Sequence, residues 1–290
     1  MQQSPAQDHA PCADTDNAPP RATLPANARL PFNRCNLPAV ILGSLTFQRH
    51  PTQLYLDGVL ELHRRLFDHL GIVADATERA LLFQRYMDAH FCLTALEEAG
   101  LDQRKKKARG KADYLRLLRG WLFDPDGRDA AVIKGWVESR FGLITRYHGG
   151  PIPSPDDESY QRFLEARATG LYATNALEAQ LDLLYEFCQY EIGRRFAGDT
   201  HITLYRGVNR LGDHENLATI NKRRHVLLLN NLNSFTSNRE RAEEFGDYIL
   251  SADVPLAKVF FYNRLLPGVL KGEDEFMVIG GVYEVKLGTV

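Results

Sequence analysis

The stretch His201-Ile202-Thr203-Leu204-Tyr205-Arg206-Gly207-Val208 marks the point where the chain changes from helical to strand-like character. Apolar residues alternate along it, with Ile202 and Leu204 on one face, which is the period of a half-buried β-strand. Arg206 falls on the same face, and a charge on the side that faces a core needs a partner or a ligand. The stretch therefore predicts a strand that holds an arginine inside the fold.

Five more apolar segments after residue 208 have the length and composition of strands. They span residues 226–229, 248–252, 258–262, 276–279 and 282–287. Gly280-Gly281 separates the last two segments, and a glycine pair between two strands predicts a tight hairpin turn. The C-terminal part of the chain is therefore predicted to be rich in β-structure.

Before residue 199 the sequence has mostly helical periodicity. Apolar residues recur three and four positions apart, which predicts helices over 52–70, from about 76, and over 112–122, 128–141, 158–168 and 174–195. Because these helices precede the strands instead of alternating with them, a doubly wound parallel sheet is disfavoured. We predict an α+β fold, in which a mainly helical region over 31–198 and a strand-rich region over 199–290 form one compact unit.

Residues 1–30 differ in composition from the rest of the chain. They are rich in Pro, Ala, Asp and Gln and poor in large apolar residues, which predicts a disordered tail. Pro31 and Pro38 interrupt the apolar segment over 31–46, so we expect that segment to be irregular or extended.

The composition of the 290-residue chain is that of a globular protein, with 44% hydrophobic and 25% charged residues and a formal net charge of −2. This near-neutral balance gives no reason to expect nucleic acid as a partner. No apolar run is long enough to span a bilayer, and the first residues lack the basic start and apolar core of a secretion signal. The four cysteines are widely spaced without a CxxC pair, so we expect no metal site and a reducing, cytoplasmic location.

A cluster of hydroxyl side chains, Ser234-Phe235-Thr236-Ser237, follows the second predicted strand. Ser237 begins the pattern Ser-Asn-Arg-Glu, which is typical of a capping box at the start of a helix. A hydroxyl at a helix start beside a sheet can also hold a carboxylate, so a structural and a functional role for Ser237 both remain open. Ser234 and Thr236 supply two further hydroxyls close by.

Glu273-Asp274-Glu275 is the third polar cluster, and in an extended chain Glu273 and Glu275 point to one face. Lys271-Gly272 precedes the cluster and favours an exposed acidic turn, whereas the apolar segment 276–279 follows at once. In the second interpretation Glu275 begins a core strand, where a rigid scaffold can aim its carboxylate.

Together, the arginine, the hydroxyls and the paired carboxylates can hold a phosphorylated, ribose-bearing cofactor and stabilise a sugar cation. The same site can present a carboxylate to an incoming nucleophile. This combination points to ADP-ribosyl transfer from NAD. Neither a Walker-type loop nor a GxGxxG turn follows a strand, so a P-loop or Rossmann nucleotide site is not supported.

The order of Arg206, the Ser-x-Thr-Ser cluster and Glu273-Asp274-Glu275 resembles the Arg-Ser-Glu class of mono-ADP-ribosyltransferases, and the Glu-x-Glu form is similar to the arginine-modifying branch. The longer context resembles the family of NAD–dinitrogen-reductase ADP-D-ribosyltransferases of nitrogen-fixing bacteria. It comprises Leu30-Pro31-Phe32-Asn33-Arg34-Cys35-Asn36-Leu37-Pro38 and Asn231-Leu232-Asn233-Ser234-Phe235-Thr236-Ser237. The resemblance covers nearly the whole chain after the tail and implies that the strand-rich region is an ADP-ribosyltransferase-like β core.

The resemblance also implies which residues bind NAD. Arg206 matches the residue that anchors NAD, with Gly207 beside it for the nicotinamide amide. The motif serine, which positions the catalytic glutamate, is matched to Ser237, with Ser234 as the alternative register. Ser234 and Thr236 are further expected contacts of NAD.

On the acceptor side, the resemblance makes Glu275 the catalytic glutamate and Glu273 the one that accompanies arginine as acceptor. Residues 263–272 fall where the family has its target-recognition loop. The implied reaction transfers ADP-ribose from NAD to an arginine of the nitrogenase iron protein (dinitrogenase reductase) and inactivates it. It passes through an oxocarbenium-like transition state and releases nicotinamide. The family also implies a PII-type signalling protein as a partner.

Three other functions remain open from the sequence. The first is an arginine-specific ADP-ribosyltransferase with another protein target, such as a toxin. The second is a catalytically silent regulatory module that binds NAD or a partner. The third is a glycoside hydrolase with two carboxylates, because glycoside hydrolysis passes through a similar transition state.

Overall fold

The computed structural model of the protein describes residues 22–93, 112–172, 174–268 and 274–289. Ten α-helices lie in this described part: α1 (Ala39–Leu42), α2 (Leu45–Arg49), α3 (Val59–Leu62), α4 (Arg64–Ile72), α5 (Ala76–Phe91), α6 (Tyr114–Phe123), α7 (Arg128–Phe141), α8 (Glu158–Gly170), α9 (Ala176–Arg195) and α10 (Arg239–Glu243). The strands are β1 (His201–Val208), β2 (Glu215–Asn221), β3 (Arg224–Thr236), β4 (Tyr248–Pro255), β5 (Val259–Tyr262) and β6 (Glu275–Thr289). This order confirms the predicted α+β class. None of the described helices is long and apolar enough to cross a membrane.

Several helices lie where the periodicity predicted them. Helix α5 begins at Ala76, and Asp75 caps it by accepting a hydrogen bond from the Glu78 amide at 2.9 Å. Helix α7 spans Arg128–Phe141 as predicted and ends before Gly142, whose φ of +70° is the left-handed conformation that often terminates a helix. The spacing of apolar residues and the residues at the helix ends therefore determine where these two helices begin and end.

The prediction of one helix over 52–70 is wrong for its first part. Residues 51–58 are not helical, and the first helical residue is Val59. Leu56 is only 3% exposed, and its amide donates to Glu186 Oε1 at 2.7 Å. A hydrogen bond to a distant side chain thus takes the place of a local helical one.

The segments predicted to be disordered or irregular are partly folded. Residues 1–21 of the predicted tail lie outside the described residues. Residues 22–30, by contrast, pack on the core, and Leu24 is only 2% exposed. Residues 31–46 contain α1, which starts directly after Pro38, because proline is well tolerated at the start of a helix.

The six strands form one antiparallel sheet in the order β2-β3-β1-β4-β6-β5, with an additional pairing of β3 with β6. Strand β6 pairs with β3 from Lys286 opposite Arg224 to Glu275 opposite Thr236. Strand β1 pairs with β4 along its length and meets β3 where Tyr205 lies opposite Thr236. The middle of β1, the end of β3 and the start of β6 therefore converge around Thr236.

The predicted hairpin turn at Gly280-Gly281 is wrong, because β6 continues through both glycines as one strand. A side chain at Gly280 would place its Cβ 1.7 Å from the Asn230 carbonyl oxygen, and Gly281 has a φ of +113°. The register of β3 against β6 shifts between Leu229 and Leu232 at this point. Gly280 thus allows close packing against β3 at a β-bulge, and Gly281 adopts the positive φ that continues the strand instead of reversing the chain.

One hydrophobic cluster contains buried residues from both the helical and the strand-rich regions. The ring centre of Trp136 on α7 lies 4.9 Å from that of Phe260 on β5. Tyr185 on α9 donates to the carbonyl oxygen of Ala257, just before β5, at 2.9 Å. The long helices therefore pack directly on the sheet.

Candidate functional site

The end of β3 brings a serine against a glutamate of β6. Thr236 lies opposite Glu275, so Ser234 is the diagonal neighbour of Glu275 on the same face. Ser234 Oγ donates to Glu275 Oε1 at 2.6 Å, a length typical of a hydroxyl that donates to a carboxylate. Both residues are half-buried, so the pair presents an oriented carboxylate at the edge of a rigid sheet.

Arg206 of β1 reaches the same place. Its Nη1 donates to the carbonyl oxygen of Ser234 at 2.8 Å, while its buried Nε has no hydrogen-bond partner among the described residues. Burial lowers the pKa of Arg206, and the negative charges of Glu275 and Asp126 oppose that shift. A buried donor without an acceptor costs free energy until a ligand satisfies it, so Arg206 is suited to hold an anionic group.

The indole of Trp121 on α6 is the third group at this site. Trp121 Nε1 donates to Ser234 Oγ at 3.1 Å and to Glu275 Oε1 at 3.0 Å, and the side chain is only 3% exposed. No sequence motif marks this residue, because a tryptophan in an amphipathic helix is ordinarily a core residue. Only the tertiary structure brings it to a glutamate 154 positions away.

A buried charged cluster lies beside Trp121. Lys134 Nζ donates to Asp126 Oδ1 and to the Tyr147 carbonyl oxygen, both at 3.0 Å, and lies 5.8 Å from the centre of the Trp121 ring. Burial lowers the pKa of Lys134, and the Asp126 carboxylate opposes that shift. Burial and the Lys134 charge lower the pKa of His148 to about 4, so its neutral ring accepts from Lys134. These contacts give the indole a fixed surface to pack on.

Ser237, to which the sequence matched the motif serine, is exposed at the end of β3, and the hydroxyl that contacts Glu275 is that of Ser234. The predicted capping box is also shifted by one residue. The N-cap of α10 is Asn238, whose Oδ1 accepts from the Glu240 amide at 2.9 Å. The serine that contacts the Glu275 carboxylate is therefore Ser234, the alternative candidate for the motif serine.

Thr236 and Gly207, two predicted contacts of NAD, have structural partners. Thr236 is 9% exposed, and its Oγ1 accepts from the Asn238 amide at 3.1 Å. A Cβ on Gly207 would lie 2.1 Å from the Ala242 carbonyl oxygen, so this glycine lets α10 pack against β1. Their contact with NAD stays a prediction.

Glu273 and residues 269–272 lie outside the described residues. The described part of the predicted target-recognition segment, 263–268, follows β5 directly. Arg264 in this part forms an ion pair with Asp274, the residue before β6, at 3.1 Å. This ion pair places the described start of the segment beside Asp274.

The chain is similar to one group of enzymes over most of its length. Residues 32–287 match the family described as dinitrogenase reductase ADP-ribosyltransferase (DRAT). The NAD(+)–dinitrogen-reductase ADP-D-ribosyltransferase of Rhodospirillum rubrum is 40% identical over 260 residues, which cover 88% of this chain and 93% of that protein. No solved structure gives a significant match. The range matched by the family includes Arg206, Ser234 and Glu275.

Proposed function

We propose that this chain, which belongs to the dinitrogenase reductase ADP-ribosyltransferase family, transfers ADP-ribose from NAD to an arginine of dinitrogenase reductase, the iron protein of nitrogenase, and thereby inactivates it. The observation that carries the proposal is the hydrogen-bonded pair of Ser234 and Glu275, with Arg206 bonded to the Ser234 backbone. The Rhodospirillum rubrum relative is named for the same donor and the same target protein.

In this proposal NAD supplies the ADP-ribosyl group, with nicotinamide as the leaving group. The unsatisfied Nε of Arg206 suits an oxygen of a phosphate or ribose, because a guanidinium offers several donors in a fixed plane. Breaking the N-glycosidic bond has an oxocarbenium-like transition state, and the Glu275 carboxylate stabilises that positive charge. Ser234 and Trp121 hold Glu275 Oε1 in advance, so little reorganisation is needed when the charge develops.

Glu273 has the role of orienting the acceptor guanidinium and taking its proton. An arginine side chain is protonated at neutral pH and is a poor nucleophile until it loses a proton. General-base help of this kind is typically worth about 10²–10⁴-fold in rate. Glu273 therefore acts on the acceptor, whereas Glu275 acts on the donor.

Glu273→Gln is expected to lower transfer to arginine at least about tenfold more than it lowers hydrolysis of NAD, because water needs no carboxylate to orient a guanidinium. Both rates are measured on one preparation, as labelled protein and as released nicotinamide. Equal loss of the two activities would count against the assigned role.

Ser234→Ala is expected to reduce kcat for nicotinamide release about tenfold. This is the lower end of the about 1.5–3 kcal/mol that a hydrogen bond to a charged group contributes, because Trp121 Nε1 still donates to Glu275. Ser237→Ala makes the same chemical change at an exposed position nearby, where a substitution alters free energies by about 0.5 kcal/mol or less. Steady-state kinetics on both variants show whether Ser234 or Ser237 is the serine that positions Glu275. A larger loss of kcat in Ser237→Ala than in Ser234→Ala would identify Ser237 as the motif serine.

A PII-type signalling protein is proposed as a second partner on family resemblance alone. The cytoplasm is the proposed compartment, and the free thiols of Cys35, Cys92 and Cys188 in the described residues support it. The helical and strand-rich regions are proposed to act as one unit, because Trp121 of the first bonds to Glu275 of the second.

The proposal is tested by incubating the purified chain with labelled NAD and purified nitrogenase iron protein, with Glu275→Gln as the control. Label on one arginine, absent with the variant, is the expected result. Release of nicotinamide without label would favour another protein target. NAD binding with neither label nor nicotinamide release would favour a silent regulatory module, and cleavage of simple glycosides without NAD would favour a hydrolase.

A further inference from the structure

A cleft lined by arginines lies beside the connection from β5 to β6. Its positive side chains are Arg79 of α5, Arg194 and Arg195 at the end of α9, and Arg264 after β5. Among the described residues that line it, Glu191 is the only carboxylate. The cleft is therefore a site of concentrated positive charge.

Two of the four arginines are neutralised by carboxylates. Arg79 donates two hydrogen bonds to Glu191, at 2.6 and 2.7 Å, in a buried ion pair. Arg264 forms its more exposed ion pair with Asp274 at 3.1 Å. The excess positive charge of the cleft therefore comes from the other two arginines.

Arg194 and Arg195 are exposed, and their described contacts are with aromatic side chains. Arg194 Nη1 donates to the Tyr190 hydroxyl at 2.9 Å, and the Arg195 guanidinium lies 5.5 Å from the centre of the Tyr262 ring. Within the described part of the chain neither forms an ion pair with a carboxylate. Both arginines lie in the last turn of α9, where the helix dipole favours cations. The contacts with the aromatic rings also orient both guanidiniums before any partner binds.

The cleft lies at the edge of the sheet that carries the proposed catalytic carboxylate. Tyr262, at the end of β5, is paired with Phe276, the residue after Glu275. Arg264, which also lines the cleft, forms its ion pair with Asp274, the residue before Glu275. Because a protein acceptor covers far more surface than one side chain, a protein that presents an arginine to Glu275 can also contact the cleft near the start of β6.

We propose that this arginine cleft binds acidic side chains of the protein substrate, close to the arginine that is modified. The inference rests on the proposed function. The acceptor guanidinium is a cation, so Arg194 and Arg195 repel it, whereas they attract an aspartate or glutamate beside it. Arginine binds carboxylates through two parallel hydrogen bonds, which adds orientation to the attraction. The cleft therefore favours a protein whose acceptor arginine has acidic neighbours over a free arginine derivative.

The test compares two acceptors: the intact nitrogenase iron protein, and agmatine, a small arginine derivative with no surface to dock. Arg195→Glu is expected to raise KM for the iron protein about tenfold, because it replaces an attraction with a repulsion of like charges. Transfer to agmatine and hydrolysis of NAD are expected to stay at wild-type values. Arg194→Glu repeats the test with a side chain that stacks on Tyr190 instead of Tyr262, which guards against a folding defect in β5.

Arg162→Glu is the matched control, because Arg162 is an exposed arginine of α8 whose ion pair with Glu158 lies outside the cleft. The same KM for the iron protein in Arg195→Glu, Arg194→Glu and Arg162→Glu would overturn the docking proposal. Equal loss of protein and agmatine transfer in both cleft variants would also overturn it. A wild-type enzyme that modifies agmatine but not the iron protein would overturn the proposed target, and the docking proposal with it.

Discussion

Glu275→Gln is expected to reduce both ADP-ribose transfer and nicotinamide release by about 10²–10³-fold, the loss typical of one preorganised electrostatic group. Glutamine has nearly the shape of glutamate, and its carbonyl oxygen can still accept from Ser234 Oγ and Trp121 Nε1. The substitution thus removes the negative charge while the hydrogen bonds remain. Because the charge is what stabilises an oxocarbenium-like centre, catalysis falls and folding changes little.

Single-turnover release of labelled nicotinamide, together with thermal denaturation, measures this effect. Asp274→Asn is the control, since it removes one negative charge from the adjacent residue, whose carboxylate pairs with Arg264. Its nicotinamide release is expected to stay near the wild-type rate. A comparable loss in the two variants would assign the effect to negative charge near the start of β6 in general, and not to Glu275.

Among the strands that carry the site, β1 was predictable because its signal is local, whereas β3 continues to Thr236, beyond the predicted segment 226–229. Strand β1 spans His201–Val208, as the alternation of its apolar residues predicts. The charge on the inner face at Arg206 predicts a need for partners, and the structure supplies the Ser234 carbonyl oxygen and the nearby charge of Glu275. The alternation of apolar and polar residues in a short segment is enough to predict a strand and a buried charge that needs partners.

Local signals failed where the outcome depends on a distant segment. Gly280-Gly281 has the composition of a turn, but the close approach of Asn230 from the bulged part of β3 requires glycine inside a strand. The capping pattern at Ser237 was shifted because the next residue, Asn238, is an equally good cap. Which serine meets Glu275 depends on the register of β3 against β6, and no local pattern reports that register.

Trp121→Phe is expected to reduce kcat for both transfer and nicotinamide release about 10- to 100-fold. A hydrogen bond to a charged group contributes about 1.5–3 kcal/mol, and about 1.4 kcal/mol corresponds to each factor of ten in rate. An indole N–H is only a donor, so Trp121 fixes both acceptors and leaves the Ser234 hydroxyl hydrogen directed at Glu275. Without it only the Ser234 hydroxyl orients the carboxylate, so Glu275 is held less firmly. Trp121 is therefore a positioning residue, and KM for NAD is expected to change less than kcat.

Trp136→Phe is the matched control, because Trp136 is a fully buried indole whose Nε1 donates to Asp182 at 2.6 Å, outside the site. Both variants lose packing and one indole donor, so activity is compared at equal folded fraction. A second variant replaces Trp121 by benzothienylalanine, in which sulfur takes the place of the N–H and the ring shape is kept. Because the donor alone is removed, this isostere should lose as much kcat as Trp121→Phe with less loss of stability. Wild-type kcat in the isostere would mean that the indole contributes packing alone and that Ser234 orients Glu275 unaided.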